Sequence, residues 1–316
     1  MVWIGILISA LLCWTMLIYL RDSKRPMVEP EATPAITNGY TIMLCHKRGR
    51  GVGRSRVRGE WSRGRAELVR SLREEIGFTS YVQVHQVSRW SLTYNLVVAS
   101  RSWPLVAIIS ILHGLPVPRP RLFHRETREE RWDVIEQFAF FDHASALAFL
   151  AAEGAANART SLAADTKGIM RRSHAIFLRS SEAYAEAGMK PPGCYTLFAL
   201  RSRPYLGTEE AMRYWLKHHR PFVVKQQPVL GYCAYWQHVA ERSTEIDSAI
   251  HEMSAAEGEP WDAVASLQHR TFADLASGIV NPRVLLANTR LVNDEVRFLE
   301  TERSSLLIGK PLAAIL

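Results

Sequence analysis

The chain repeats itself at a fixed spacing, and that limits its fold more than any other feature. Trp132-Asp133 matches Trp261-Asp262, and Asp165 matches Asp294 with the same offset and no gap between the pairs. Upstream, Tyr214 to His238 reads YWLKHHRPFVVKQQPVLGYCAYWQH. A weaker copy precedes it: Trp61-Ser-Arg-Gly-Arg65, then Gly77-Phe-Thr-Ser-Tyr81-Val-Gln-Val-His85-Gln86. Fixed-offset similarity is the mark of an internal duplication. Tryptophan is rare enough that paired tryptophans rarely coincide by chance.

The apolar pattern between these anchors gives each copy an element order. In the first copy, Gly39 to His46 reads as a strand and Gly59 to Ile76 has apolar residues at helical spacing, stopped by Gly77. Phe78 to Val87 alternates as a strand does. Trp132 to Phe140 reads as a strand and Ala144 to Ala152 as a short helix. A turn follows, and Thr166 to Leu178 reads as the returning strand. The second copy reads as a strand (Tyr195 to Leu200), a helix (Thr208 to Gln226), a strand (Val229 to His238), a polar insertion (Ala240 to Glu259), a strand (Asp262 to Gln268) and a helix (Phe272 to Ile279). Asn281-Pro282 breaks the chain and Ser304 to Gly309 closes it. Each copy is therefore β-α-β-β-α-β, the ferredoxin-like split βαβ arrangement. One such unit leaves a sheet face bare, and two can pack sheet to sheet and cover both. The fold class is α+β, with a first domain at 39–182 carrying an insertion at 88–131 and a second at 194–310. The sequence leaves open whether such a barrel closes within one chain or between the two chains of a homodimer.

With 316 residues, 47% of them hydrophobic, the chain can bury a core of that size. Residues Val2 to Leu20 are almost wholly apolar and uncharged. As a helix they would span roughly 28 Å, close to the hydrocarbon thickness of a bilayer. No basic residue precedes them and no small-residue cleavage site follows, so the stretch reads as one uncleaved transmembrane anchor over 1–20. Arg21, Lys24 and Arg25 come next and place the folded body in the cytoplasm. Pro26, Pro30 and Pro34 make 21–38 a linker. Within the insertion, Trp103 to Leu115 is too short to cross a bilayer and reads as a core helix or pocket lid.

The formal charge is +8, much of it between Arg21 and Arg73. That fits attraction to anionic lipid headgroups. No nucleic-acid-binding motif accompanies it. The glycines of Lys47 to Arg58 match neither nucleotide-binding pattern. Cys13, Cys45, Cys194 and Cys233 form no CxxC pair and suit neither a disulfide framework nor a zinc site.

Several polar residues have chemistry to offer. A histidine at the end of a helix motif, His219, is a natural acid–base group near neutral pH. Tyr232 could orient a substrate oxygen, and Asp294 could orient His219 or close a turn. Tyr81, Gln83 and His85 alternate on one strand and so share a face. With Trp236 and Asp294, they complete the expected substrate-binding set. No cluster has metal-ligand spacing.

The second copy resembles the EthD family of the dimeric α/β-barrel superfamily. Trp215-Leu-Lys-His-His219-Arg-Pro221 is similar to the family's helix motif and Gly231-Tyr232 to its second strand. Trp261-Asp262-Ala-Val is similar to its aromatic-Asp strand start and Asp294-Glu295-Val-Arg-Phe298 to its Asp-Glu-x-x-Phe element. The first copy departs from this pattern, with Arg65 where His219 stands and no following proline. The resemblance implies a cofactor-independent oxidoreductase or lyase, decarboxylase- or dehydratase-like, acting on a hydrophobic or aromatic small molecule near the membrane. The alternative is a membrane-tethered ligand-binding or assembly module without catalysis.

Overall fold

A computed structural model describes residues 38–86, 132–188, 192–253, 261–275, 281–300 and 303–315. The expected anchor, the linker before Asn38 and the insertion with Trp103 to Leu115 lie outside the described residues. Among the described residues no helix is long and apolar enough to cross a membrane.

The first half contains β1 (Asn38–Arg48), α1 (Ser62–Ser71), β2 (Ser80–Gln86), β3 (Val134–Phe140), α2 (His143–Ala151), α3 (Ala156–Lys167) and β4 (Met170–Ala185). The second half contains β5 (Cys194–Leu200), α4 (Thr208–Tyr214), α5 (Arg220–Lys225), α6 (Gln227–Leu230) and β6 (Ala234–Ala240). It ends with α7 (Thr244–Met253), β7 (Ala263–His269), α8 (Pro282–Glu295) and β8 (Ser305–Ile315). The strands form one closed barrel in the order β1-β3-β2-β8-β5-β7-β6-β4, within a single chain. Each half thus contributes a sheet of the same internal order, β4-β1-β3-β2 and β8-β5-β7-β6. The seams are antiparallel, β2 on β8 (Tyr81 opposite Ile315) and β4 on β6 (Leu178 opposite Ala240). Closure leaves neither sheet with an open edge.

Strand alternation sorts the side chains into two environments. Met43, Cys45, Ile135, Ile176, Leu197, Val264 and Leu307 fill the barrel lumen. Their neighbours in sequence face the helices. Ile42, Leu44 and Phe138 meet Val69, Phe149 and Leu162 in the first half. Phe198 and Leu200 meet Met212, Trp215 and Leu291 in the second.

Four expected elements differ, each for a local reason. The turn expected before β4 is α3, whose buried face is Ala158, Leu162 and Thr166. Alanine favours helix strongly yet contributes little to an apolar stripe. Pro282 opens α8 rather than breaking the chain, because the first helical position needs no N–H partner. Gln227-Pro228 likewise begins α6, and Gly231 ends it in the left-handed region at φ 68°. The next strand therefore starts at Ala234, not Val229. The polar segment after β6 contains α7, which lays Ile246 and Ala249 on the first half's core.

Candidate active site

His219 ends a π-helical turn, Trp215–His219, between α4 and α5. Pro221 has no N–H and its ring crowds the carbonyl four residues back, so the regular ladder cannot continue there. The Arg220 N–H instead reaches the Trp215 carbonyl, five residues back. Such a turn displaces the side chains around it and often accompanies function. His219 is buried, with only 3% of its surface exposed. Its Nδ1 lies 2.8 Å from Asp294 Oδ2, at the end of α8. The Tyr214 hydroxyl donates to Asp294 Oδ1 at 2.8 Å. The Phe298 ring packs 5.4 Å from the imidazole and 5.1 Å from Tyr214, screening the pair from water.

The bond from His219 holds the Asp294 carboxyl below its usual range, against the opposing effect of burial, and the Tyr214 bond adds to it. A carboxylate only accepts, so Nδ1 carries a hydrogen in its bond to Asp294. Glu295 Oε1 stands 3.7 Å from Nε2. Carboxylates thus stand on both sides of the ring.

Tyr232 is not brought to His219. It is fully buried, donates its hydroxyl to the Val223 carbonyl at 3.0 Å, and packs edge-on against Tyr184 and Tyr235. Burial pushes its phenol well above the usual range, so it stays a neutral donor. Trp236 is half-buried and stacks on His238 at 6.4 Å on the other face of the strand from Tyr235.

Tyr81, Gln83 and His85 do share one face, and they join a buried network in the first half. Arg65 grips Glu136 with two bonds, at 3.0 and 2.8 Å. His46 Nε2 meets Glu136 Oε2 at 2.7 Å, and its Nδ1 is 2.8 Å from the Ser173 hydroxyl. Tyr81 donates to Glu136, Gln83 Nε2 donates to the Tyr81 oxygen at 2.6 Å, and His85 lies 3.3 Å from Gln83. Burial alone would raise the Glu136 carboxyl, but Arg65 and His46 outweigh it and hold the carboxyl far below its usual range.

The two halves present these groups at matching places. Arg48 N donates to Asp133 and Ser202 N donates to Asp262, at 3.3 and 2.7 Å. Gly77 and Gly231 both end helices with positive φ. Gln83 donates to the Tyr81 oxygen, and Gln237 donates to the Tyr235 oxygen at 3.0 Å. Arg65 lies 3.5 Å from Asp165 as His219 lies near Asp294. The difference is on the sheet. Gln83 stands opposite Glu136, and Gln237 stands opposite Ala265. The second half therefore has no carboxylate at the Glu136 place and a histidine, not an arginine, at the Arg65 place. The buried Gln237 Oε1 there has no hydrogen-bond partner. Sequence reasoning missed Tyr235, Gln237 and Glu136. Matching Tyr81-x-Gln83 to Tyr235-x-Gln237 would have found the first two. Among the described residues no group of three or more His, Cys, Asp or Glu side chains could hold a metal ion.

The architecture is the dimeric α/β barrel, here closed by one polypeptide. It superposes on an anthrone oxidase-like protein of known structure with a TM-score of 0.51 and 8% identity, covering 89% of this chain and 96% of that one. A provisionally named monooxygenase from Lactobacillus acidophilus NCFM gives a TM-score of 0.44 at 8% identity, over 88% of this chain and 95% of that one. The EthD domain profile matches residues 203–302, which hold the His219–Asp294 pair. No curated protein matches the chain.

Proposed function

We propose that the chain is an EthD-type enzyme with its working site in the second half, between the β5–β8 sheet and α4–α8. The two halves are copies of one ferredoxin-like unit, and the first has become structural. The observation that carries this reading is the exchange of Arg65 and Glu136 for His219 and Ala265. It removes the buried ion pair of the first half and leaves Gln237 Oε1 as a buried acceptor without a partner in the second. A buried amide oxygen without a partner costs about 1–3 kcal/mol, which a ligand donor would recover.

The aromatic and aliphatic side chains packed around it suit a hydrophobic or aromatic small molecule. A hydroxyl of that molecule would donate to Gln237, and His219 Nε2 would take or return a proton with Asp294 fixing the ring. That proton transfer is common to the oxidoreductase and lyase chemistry of the EthD resemblance, and we assign no cofactor to it. Tyr232 supports the wall through Val223. Val2 to Leu20 would tether the body, on the cytoplasmic side, to the membrane where such substrates partition.

A second reading is a non-catalytic ligand-binding module. The deep burial of Tyr232 and the committal of its hydroxyl to a backbone carbonyl favour it. Turnover assays on a panel of hydroxylated aromatic compounds separate the two. His219→Gln should lower turnover by roughly 10²-fold or more. Rebuilding the first-half pair in the second with His219→Arg and Ala265→Glu should abolish ligand binding in a chain that still folds. Wild-type turnover in His219→Gln would remove the acid–base assignment.

A further inference from the structure

In the first half the Glu136 carboxylate accepts hydrogen bonds from Arg65 and from the Tyr81 hydroxyl. The Ser62 hydroxyl donates to Gln83 Oε1 at 2.7 Å. The second half has the tyrosine and the glutamine of this set, as Tyr235 and Gln237, without the groups that complete them. Ala265 stands at the Glu136 place. Leu216 stands at the Ser62 place, by the same spacing that pairs Trp61 with Trp215. The Tyr235 oxygen accepts from Gln237 Nε2 and from the Trp215 side chain. Among the described residues nothing accepts the hydrogen of its hydroxyl, which Tyr81 gives to Glu136. Burial pushes the Tyr235 phenol up, so it keeps that hydrogen at neutral pH.

The second half also carries its cation one place further along the helix. Arg220 follows His219, where the first half has Ala66. Its Nη2 donates to the Ser181 hydroxyl at 3.2 Å and to the Glu182 carbonyl at 3.3 Å, both on β4. Both acceptors are neutral, and both bonds use one nitrogen. Arg220 is half-buried, which works against its charge, and the Tyr235 phenol is the ionisable group whose field acts on it. The guanidinium and the unspent phenol hydrogen are therefore neighbours. Among the described residues no carboxylate pairs with Arg220, and those of Asp294 and Glu295 stand against His219. Solvent reaches the sheet here and not in the first half. Ala265 keeps 8% of its surface exposed, and Phe198 and Leu306, next to it on β5 and β8, keep 9% each. Gln83 and Glu136 keep none.

We propose that the ligand of this site is a hydroxylated aromatic carboxylate. Its anionic group takes the place of the Glu136 carboxylate and accepts from Tyr235 and Arg220. Its hydroxyl takes the place of the Ser62 hydroxyl and donates to Gln237 Oε1. The assignment rests on the second-half site proposed above and adds the charge of its ligand. A guanidinium fork matches a planar carboxylate. A half-buried cation without a counter-ion gains from an anionic oxygen, and a neutral ligand leaves it uncompensated. Arg220 and Tyr235 thus select the ligand, while His219 exchanges the proton.

The full chain is titrated by calorimetry with the ortho, meta and para hydroxybenzoates and, separately, with their neutral methyl esters. At least one acid should bind about tenfold or more tightly than its ester, the size expected of hydrogen bonds to a charged group. Arg220→Gln should weaken that acid about tenfold and leave its ester unchanged, with the thermal midpoint as the check on folding. Arg220→Lys should recover part of the preference, because it keeps the charge without the fork. Tyr235→Phe should weaken the acid more than the ester. An ester that binds as tightly as its acid, or a preference for the acid that survives Arg220→Gln, overturns the carboxylate assignment and leaves a site for neutral hydroxylated aromatics. Binding of neither acids nor esters removes the second-half site itself, and this assignment with it.

Discussion

Arg65 and Glu136 meet through two hydrogen bonds with both side chains almost wholly withdrawn from water. Taking two charges out of water is costly, and the bidentate geometry offsets that cost only while both partners remain. Glu136→Gln should therefore destabilise the fold by about 3–5 kcal/mol, because the amide has no charge and only one acceptor oxygen where Arg65 and His46 use two. The double variant Arg65→Met, Glu136→Leu should recover most of the loss. Urea denaturation of the single and double variants measures both.

The same region explains what could be read from the chain before its structure. The periods of the strands and the Trp-Asp pairs were legible because alternation and rare residues survive in sequence. The network around Glu136 was not, because Glu136 sits in a largely apolar strand and its partners lie on α1, β1 and β2. A buried ion pair is a relationship between distant positions, and no local pattern announces it. Tyr232 stands out in the sequence because Gly231-Tyr232 resembles the EthD family's second strand, whereas Tyr235 carries no such motif within the same expected strand, Val229 to His238. The left-handed turn at Gly231 instead starts the strand later and puts Tyr235 beside Gln237.

Stability should fall as the solution is acidified through the histidine range. Burial pushes His238 down from 6.5 to about 3, and His85, His174 and His269 to about 4. Between those values and 6.5 the unfolded chain binds more protons than the folded one. The contribution is therefore complete above pH 6.5 and is lost as pH drops toward 4. Below about 4.3 the depressed Glu136 carboxyl adds its own loss, since the unfolded chain then takes that proton first. Denaturation midpoints across pH 4 to 8 should decline monotonically on the acid side, by several kcal/mol on the order-of-magnitude scale of this linkage. His238→Gln should flatten the decline.

The His219–Asp294 bond has a signature independent of turnover. It is the largest cause of the lowered Asp294 carboxyl. His219→Phe should move that carboxyl up toward its ordinary 3.8 or beyond, leaving burial to act with less opposition. Tyr214→Phe should produce a smaller rise. Carbon-13 titration of the Asp294 carboxyl reads both. An unshifted Asp294 in His219→Phe would mean the bond does not form in solution.

Gly309 tests the seam that makes one barrel of two sheets. It stands opposite Gln86 where β8 crosses β2. A methyl group there would lie 2.5 Å from Val84 Cγ1, 2.8 Å from the His85 carbonyl and 2.9 Å from Leu307 Cδ2. The carbonyl belongs to the backbone of the opposing strand and cannot swing aside, so the seam itself must part. Gly309→Ala should cost about 1–3 kcal/mol, the usual price of overpacking. Gly231→Ala is the control, since its Cβ would meet open space and only the positive φ opposes it, at about 1 kcal/mol. If the barrel unfolds as one unit, Gly309→Ala should lower the thermal midpoint reported by Trp61 and by Trp215 equally. A shift confined to one of them would show that the halves melt separately and that the β2–β8 seam does not couple them.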